Sequence, residues 1–101
     1  MIYETIAYQV EDNVAVVTLN RPDVMNAFNT LLRAEINHAV KLAEKEARVL
    51  VITGAGQAFC SGQDLGDGGN ASNIDLERVL RDEYVPMIRA IVDCKIPTIA
   101  A

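Results

Sequence analysis

The chain has 101 residues, half of them hydrophobic and 23% charged, with six Gly and three Pro. That composition excludes disordered, collagen-like and low-complexity classes, and the length leaves room for one small domain at most. A net charge of −5 with no Lys/Arg cluster repels phosphate backbones and anionic lipid surfaces, so the expected partner is a small molecule or another protein, not nucleic acid or membrane.

No apolar run approaches the roughly 18 residues that span a bilayer, and MIYETIAYQV carries neither a basic leader nor a small-residue cleavage site, so a cytoplasmic protein is expected. Cys60 and Cys94 lack disulfide-framework and metal-ligand spacing and read as reduced thiols.

In chain order, Ile2 to Val10 alternates loosely and Val14 to Leu19 is a β-branched run. Glu11, Asp12 and Asn13 between them form a polar turn, which predicts a hairpin. From a cap at Asn29 or Thr30, the apolar residues Leu32, Ile36, Ala39, Val40 and Ala43 recur at helical spacing to about Glu46. Arg33, Glu35, Asn37, Lys41, Glu44 and Lys45 are assigned to the other faces. Val49 to Thr53 is a continuous apolar run stopped by Gly54, as in a parallel strand buried on both faces, and the order strand, helix, strand predicts a βαβ crossover in an α/β fold.

All six glycines then fall within Gly54 to Gly69, where the backbone must turn tightly or approach something closely. Beyond, Asp75 can cap a helix carrying Leu76, Val79, Leu80, Val85, Met87, Ile88, Ile91 and Val92, with a break or kink near Tyr84 imposed by Pro86. Leu32, Ile36, Val51, Ile52, Leu80, Ile88 and Ile91 are expected in the core. Ile96 to Ala101 begins another core strand, and its stop reads as an interruption of a domain.

The glycine segment is the candidate site. As a phosphate cradle it is poor: Gly54 and Gly56 lack the third glycine of a dinucleotide fingerprint, Phe59 standing in its place, and no Gly-Lys-Ser/Thr occurs. Ser61 lacks the G-x-S-x-G surroundings of a nucleophile, and the lone His38 lies mid-helix without an evident partner. Cys60 reads as a small packed thiol. Asp64 reads as a loop carboxylate accepting N–H bonds, with a general base as the rival. Asp67, Asp75, Glu77, Asp82 and Glu83 read as a solvated acidic face or caps. Arg21 can pair structurally or touch phosphate.

Phe59-Cys60-Ser61-Gly62-Gln63-Asp64-Leu65 resembles the F-[SC]-[AS]-G-x-D-[LI] loop of the crotonase family, the enoyl-CoA hydratases and isomerases. Thr18 to Pro22 (TLNRP) with Asn26-Ala27-Phe28, Val51-Ile52-Thr53-Gly54, and Lys95 to Ala101 resemble three further family signatures, in family order. Within the family the wording FCSGQDLGD is most similar to the phenylacetate-degradation branch, whose members isomerise a ring-epoxide acyl-CoA.

The resemblance implies a spiral of repeated ββα units assembling as trimers or paired trimers, of which this chain supplies the N-terminal units only. It implies that the Gln63 backbone N–H is an oxyanion donor for a thioester enolate. Ser61 and Gly62 would approach the CoA arm, with Asp64 and Leu65 along it and Met25, Asn26 and Ala27 on the other side. It implies an acyl-CoA substrate, CoA entering as part of that substrate, with no metal or redox cofactor. The second amide donor and the acid and base would lie beyond Ala101. The rival of a different class is a noncatalytic fragment or interaction module keeping the first half of the fold. A nucleotide-binding domain, resting on Gly54 and Gly56, is the third reading.

Overall fold

A computed structural model describes residues 2–64 and 76–101. The first two strands, β1 (Ile6–Glu11) and β2 (Val14–Leu19), pair antiparallel with Glu11 opposite Val14. Only Asp12 and Asn13 remain between them, both left-handed at φ 52° and 67°. That is the two-residue turn whose twist matches a hairpin, and Asp and Asn tolerate it best after glycine. β1 starts four residues later than the alternation at Ile2 suggests. The Glu35 carboxylate takes the N–H groups of Glu4 and Thr5, at 2.8 and 2.7 Å, which removes them from the ladder.

Helix α1 (Thr30–Glu46) crosses over to β3 (Val49–Gly54), which pairs parallel with β2 from Val14↔Val49 to Leu19↔Gly54. Asn29 caps the helix, its Oδ1 accepting from the Leu32 N–H at 2.9 Å, a cap of about 1 kcal/mol. Leu32, Ile36, Ala39, Val40 and Ala43 are buried against Ala15, Val17, Leu19, Leu50 and Ile52 on one face of the sheet. The side chains of 14, 16, 49 and 51 turn to the opposite face and are half-buried. Within these 101 residues α1 covers one face of β3, and Val49 and Val51 on the other face are half-buried.

The next helical stretch is built in three pieces: α2 (Leu76–Val79), a π-turn over Leu80–Tyr84, and α3 (Val85–Val92). Pro86 has no N–H to continue an α-helical ladder. The chain answers with a wider turn, the Val85 N–H reaching back five residues to the Leu80 carbonyl. The extra residue takes Leu80 off the apolar stripe that a continuous helix would present. Val79 and Met87 are buried, whereas Leu80 and Ile88, expected in the core, are 56% and 50% exposed. The Asp75 cap lies outside the described residues. β4 (Thr98–Ala100) pairs parallel with β3, giving the sheet order β1-β2-β3-β4, and within these 101 residues all three of its residues are exposed.

Two charged residues of α1 assigned to its solvent faces are buried, Arg33 at 1% and Glu35 at 4% exposure. Their spacing is on the apolar stripe: Arg33 precedes Ile36 by three and Glu35 precedes Ala39 by four. Each is compensated, Glu35 by the N–H groups of Glu4 and Thr5 and by the Thr5 hydroxyl.

Candidate active site

Two segments far apart in sequence run side by side at the carboxyl end of β2 and β3. The first, residues 21–28, leaves β2 through a short 3-10 turn (Pro22–Val24) and two consecutive left-handed residues, Met25 and Asn26, both at φ 57°. The second, residues 54–64, is the described part of the glycine loop. Backbone bonds join them: Ser61 N–H to Met25 O at 3.0 Å, Phe28 N–H to Gly62 O at 2.7 Å, and Asp64 N–H to Phe28 O at 2.8 Å. Side-chain bonds reinforce them. Asn26, with no exposed surface, accepts from the Arg21 N–H at 2.7 Å and donates to Ala55 O and Ala58 O at 2.9 and 2.8 Å.

Gly54 shows why the loop needs small residues. A Cβ there would stand 2.6 Å from the Phe59 carbonyl oxygen and closer still to that of Ala58. The loop folds back on the strand end that precedes it, so this glycine serves the chain's own close approach and not a phosphate. That removes half the basis of the nucleotide reading. Gly62 serves differently: its φ is +104°, and an added Cβ would meet nothing within 4 Å.

Phe28 and Gln63 form a parallel bridge. Because the peptide is planar and trans, the Gly62 carbonyl and the Gln63 N–H point in opposite directions. Phe28 holds the former, so the latter is aimed away from Phe28, and it meets no acceptor among the described residues. A polar group left in this way on a braced loop is a ready donor to a ligand oxygen.

The Gln63 side chain is already engaged. Its Oε1 accepts from Arg33 Nη1 at 3.1 Å and from the Tyr84 hydroxyl, while Nε2 donates to Asp64 O at 3.3 Å. Arg33 also bonds Glu83 Oε1 through Nη2 and Nε, at 2.7 and 3.0 Å. Glu83, read from sequence as solvated or capping, thus belongs to a largely buried network. Burial pushes its carboxyl up, but hydrogen bonds from Arg33, Thr30 and Arg78, with the Arg33 charge, outweigh that and leave it below its ordinary value. Phe28 stacks edge-on against Tyr84 at 5.8 Å.

Asp64 pairs with Arg21 at 2.9 Å, and Arg21 also donates to Ala27 O. The Asp64 carboxylate is thus held by a guanidinium, and Arg21 is engaged in a structural pair among the described residues. Cys60 Sγ lies 3.4 Å from the Gly62 N–H and packs partly against the core. His38 is exposed and has a partner after all, the Tyr3 hydroxyl at 2.7 Å from Nδ1.

Of the residues expected at the site, Met25, Asn26, Ala27, Ser61, Gly62, Gln63 and Asp64 come together here, and Leu65 lies outside the described residues. Met25 and Ser61 are exposed, Gly62, Gln63 and Asp64 partly so, and Asn26 and Ala27 are buried. Arg33, Tyr84 and Glu83 were missed; the helical spacing of Arg33 on the apolar stripe is the signal that marks it. Beside the bridge lies an apolar cavity of about 290 Å³ whose walls include Phe28, Phe59, Met87 and Ile91. The arrangement can polarise an oxygen and shelter an apolar group. Among the described residues, Glu83 lies between two arginines and Asp64 is paired with a third. Among the described residues no group of three His, Cys, Asp or Glu could hold a metal, and no helix is long and apolar enough to cross a membrane.

The enoyl-CoA hydratase/isomerase family profile matches residues 9–101. The chain is 52% identical over 101 residues to the "Probable enoyl-CoA hydratase" of Rhodobacter capsulatus, covering all of this chain and 39% of that protein. It is 36% identical over 103 residues to the 1,2-epoxyphenylacetyl-CoA isomerase of Escherichia coli, covering 97% and 39%. Among solved structures, an enoyl-CoA hydratase subunit I from Geobacillus kaustophilus superposes with a TM-score of 0.82 at 31% identity, over 97% of this chain and 38% of that one. The chain thus spans about two-fifths of the length of these relatives. The chain belongs to the enoyl-CoA hydratase/isomerase, or crotonase, family, and its α/β fold corresponds to the N-terminal part of the family fold.

Proposed function

We propose that the chain is part of an acyl-CoA hydratase or isomerase in which the Gln63 N–H donates to the thioester carbonyl oxygen of the substrate. The observation that carries this reading is the direction of that N–H, set by the Phe28 bond to Gly62 O and without an acceptor among the described residues. As the reaction moves electrons toward an enolate, the carbonyl oxygen gains charge, and a donor already in place stabilises it by roughly 3 to 4 kcal/mol without reorganising. The relative at 52% identity is named a hydratase and the one at 36% an isomerase. Enolate formation is common to both chemistries, so the substrate class is an enoyl-CoA or a ring-epoxide acyl-CoA.

In this reading the acyl group enters the apolar cavity next to Phe28, and the CoA arm passes Ser61, Gly62, Asp64 and Leu65, with Met25, Asn26 and Ala27 opposite. Asn26 serves there through its backbone and by bracing the loop, its amide being fully used. CoA is part of the substrate, and enolate chemistry calls for no metal or redox group. The enzyme works in the cytoplasm as a homotrimer or hexamer, and these 101 residues, as one portion of a single domain, are inactive alone.

The test is made on the full-length gene product with crotonyl-CoA and ring-epoxide thioesters. Gln63→Ala keeps the N–H and is expected to lose at most about 10-fold in kcat, whereas Gln63→Pro deletes it and loses about 10²- to 10³-fold. Circular dichroism and binding of an unreactive acyl-CoA control for distortion. Equal losses in both variants with both controls normal transfer the role to the side chain and overturn the reading.

A further inference from the structure

Arg33 lies in the first turn of α1 with its side chain 1% exposed, and its guanidinium ties three elements together. It bonds Glu83 in the π-turn, Gln63 in the loop and the Tyr84 hydroxyl at 3.2 Å, and its central carbon sits 4.5 Å from the Tyr84 ring centre. Burying such a pair contributes little stability beyond what apolar residues of the same volume give. Nor does it act as a bare charge at the loop, since Glu83 offsets it at 2.7 Å. What the guanidinium supplies is a planar fork with fixed bond directions.

Those directions matter at Gln63. Its N–H belongs to the peptide that follows Gly62, a residue with wide rotational freedom at φ +104°. Phe28 restrains that peptide from one side. A side chain anchored at its far end by Arg33 and Tyr84 resists the remaining rotation about the Gln63 N–Cα bond.

We propose that Arg33 is a positioning residue for the Gln63 amide, acting through the Gln63 side chain with Tyr84 as the second anchor. The inference rests on the oxyanion reading above. In the full-length gene product, Arg33→Met is expected to lower kcat about 10-fold while leaving KM for the acyl-CoA within about twofold, as misplacement of one donor does. A bound cinnamoyl-CoA chromophore should lose part of the red shift that carbonyl polarisation produces. Tyr84→Phe should lower kcat by a smaller factor. In a Gln63→Ala background, Arg33→Met should cost nothing further, because the link is already cut.

A variant with a lowered Tm but wild-type kcat and red shift makes Arg33 a fold residue only and overturns the proposal, as do losses that multiply in the double variant. If Arg33→Met does not fold, Tyr84→Phe decides, and wild-type kcat and red shift there overturn it equally. Gln63→Pro separates the two levels. Full turnover in that variant refutes the oxyanion reading itself, whereas loss there beside an unaffected Arg33→Met refutes only the positioning role.

Discussion

Asn26 donates to the carbonyl oxygen of Ala58 at 2.8 Å across 32 residues of sequence, and this bond helps hold the two halves of the site in register. With its companion to Ala55 O, it uses both hydrogens of an amide that has no exposed surface. A residue that contributes this much from the interior sets where the loop sits, which in turn sets where Gln63 points.

Asn26→Asp is the sharpest probe of that bracing. The carboxylate accepts but does not donate, so it would face two carbonyl oxygens at hydrogen-bond distance without water. Two unsatisfied buried groups at about 1 to 3 kcal/mol each give an expected loss of roughly 2 to 6 kcal/mol. Chemical denaturation reads this directly, and acyl-CoA affinity should fall with it. Unchanged stability alongside lost affinity would instead place the added charge near the CoA phosphates.

Gly54 and Gly62 separate two reasons for a glycine. Gly54→Ala puts a methyl 2.6 Å from the backbone oxygen of Phe59, whereas Gly62→Ala meets open space and has only its φ of +104° against it. Strain of that kind costs about 1 to 3 kcal/mol. Gly54→Ala is therefore expected to lower Tm more. Gly62→Ala should affect turnover out of proportion to its Tm, since the strained residue directly precedes the Gln63 amide. The reverse ranking of the two Tm values would show that the loop relaxes around residue 54.

Much of the frame is legible in the sequence, because local signals decide it. Asp12-Asn13 between a loosely alternating segment and a β-branched run specifies the hairpin, Asn29 the start of α1, and Gly54 the end of β3. Arg33 and Glu35 show where such reading fails: residue type placed them in solvent although their spacing placed them on the buried stripe. Pro86 marks an irregularity, but whether the chain breaks or widens into a π-turn depends on what it packs against. The pairing of residues 21–28 with the glycine loop is long-range, and no spacing rule reaches across it. Only the resemblance brought Met25, Asn26 and Ala27 to the same site as Gln63.

Stability should depend on pH through Glu83. Its folded pKa is lowered from an ordinary 4.5, so its contribution is fully present above that value and disappears as pH falls through the folded pKa. Glu83→Gln is expected to be less stable at neutral pH, because Arg33 loses the carboxylate that offsets its charge, and to lose less on acidification below about pH 4.5. Thermal melts from pH 7 to pH 3 check this. Parallel curves for the two proteins mean that other carboxylates carry the acid transition.

The remaining question at the site is whether Asp64 moves a proton or holds the loop. Its carboxylate lies 2.9 Å from Arg21 Nη2, while the same guanidinium donates to Ala27 O, so the pair ties the end of the glycine loop to the segment opposite. Both partners are about one-fifth exposed, which suits a structural pair of about 1 kcal/mol or less. Asp64→Asn keeps an oxygen for Arg21 and should retain kcat within about threefold, whereas removal of a general base costs about 10²- to 10⁴-fold. Arg21→Met leaves the carboxylate in place without its tether. If Asp64 is structural, the two variants lose similar stability and little turnover. If Asp64→Asn alone abolishes turnover while acyl-CoA binding persists, Asp64 is the base and the pair with Arg21 opens when substrate binds.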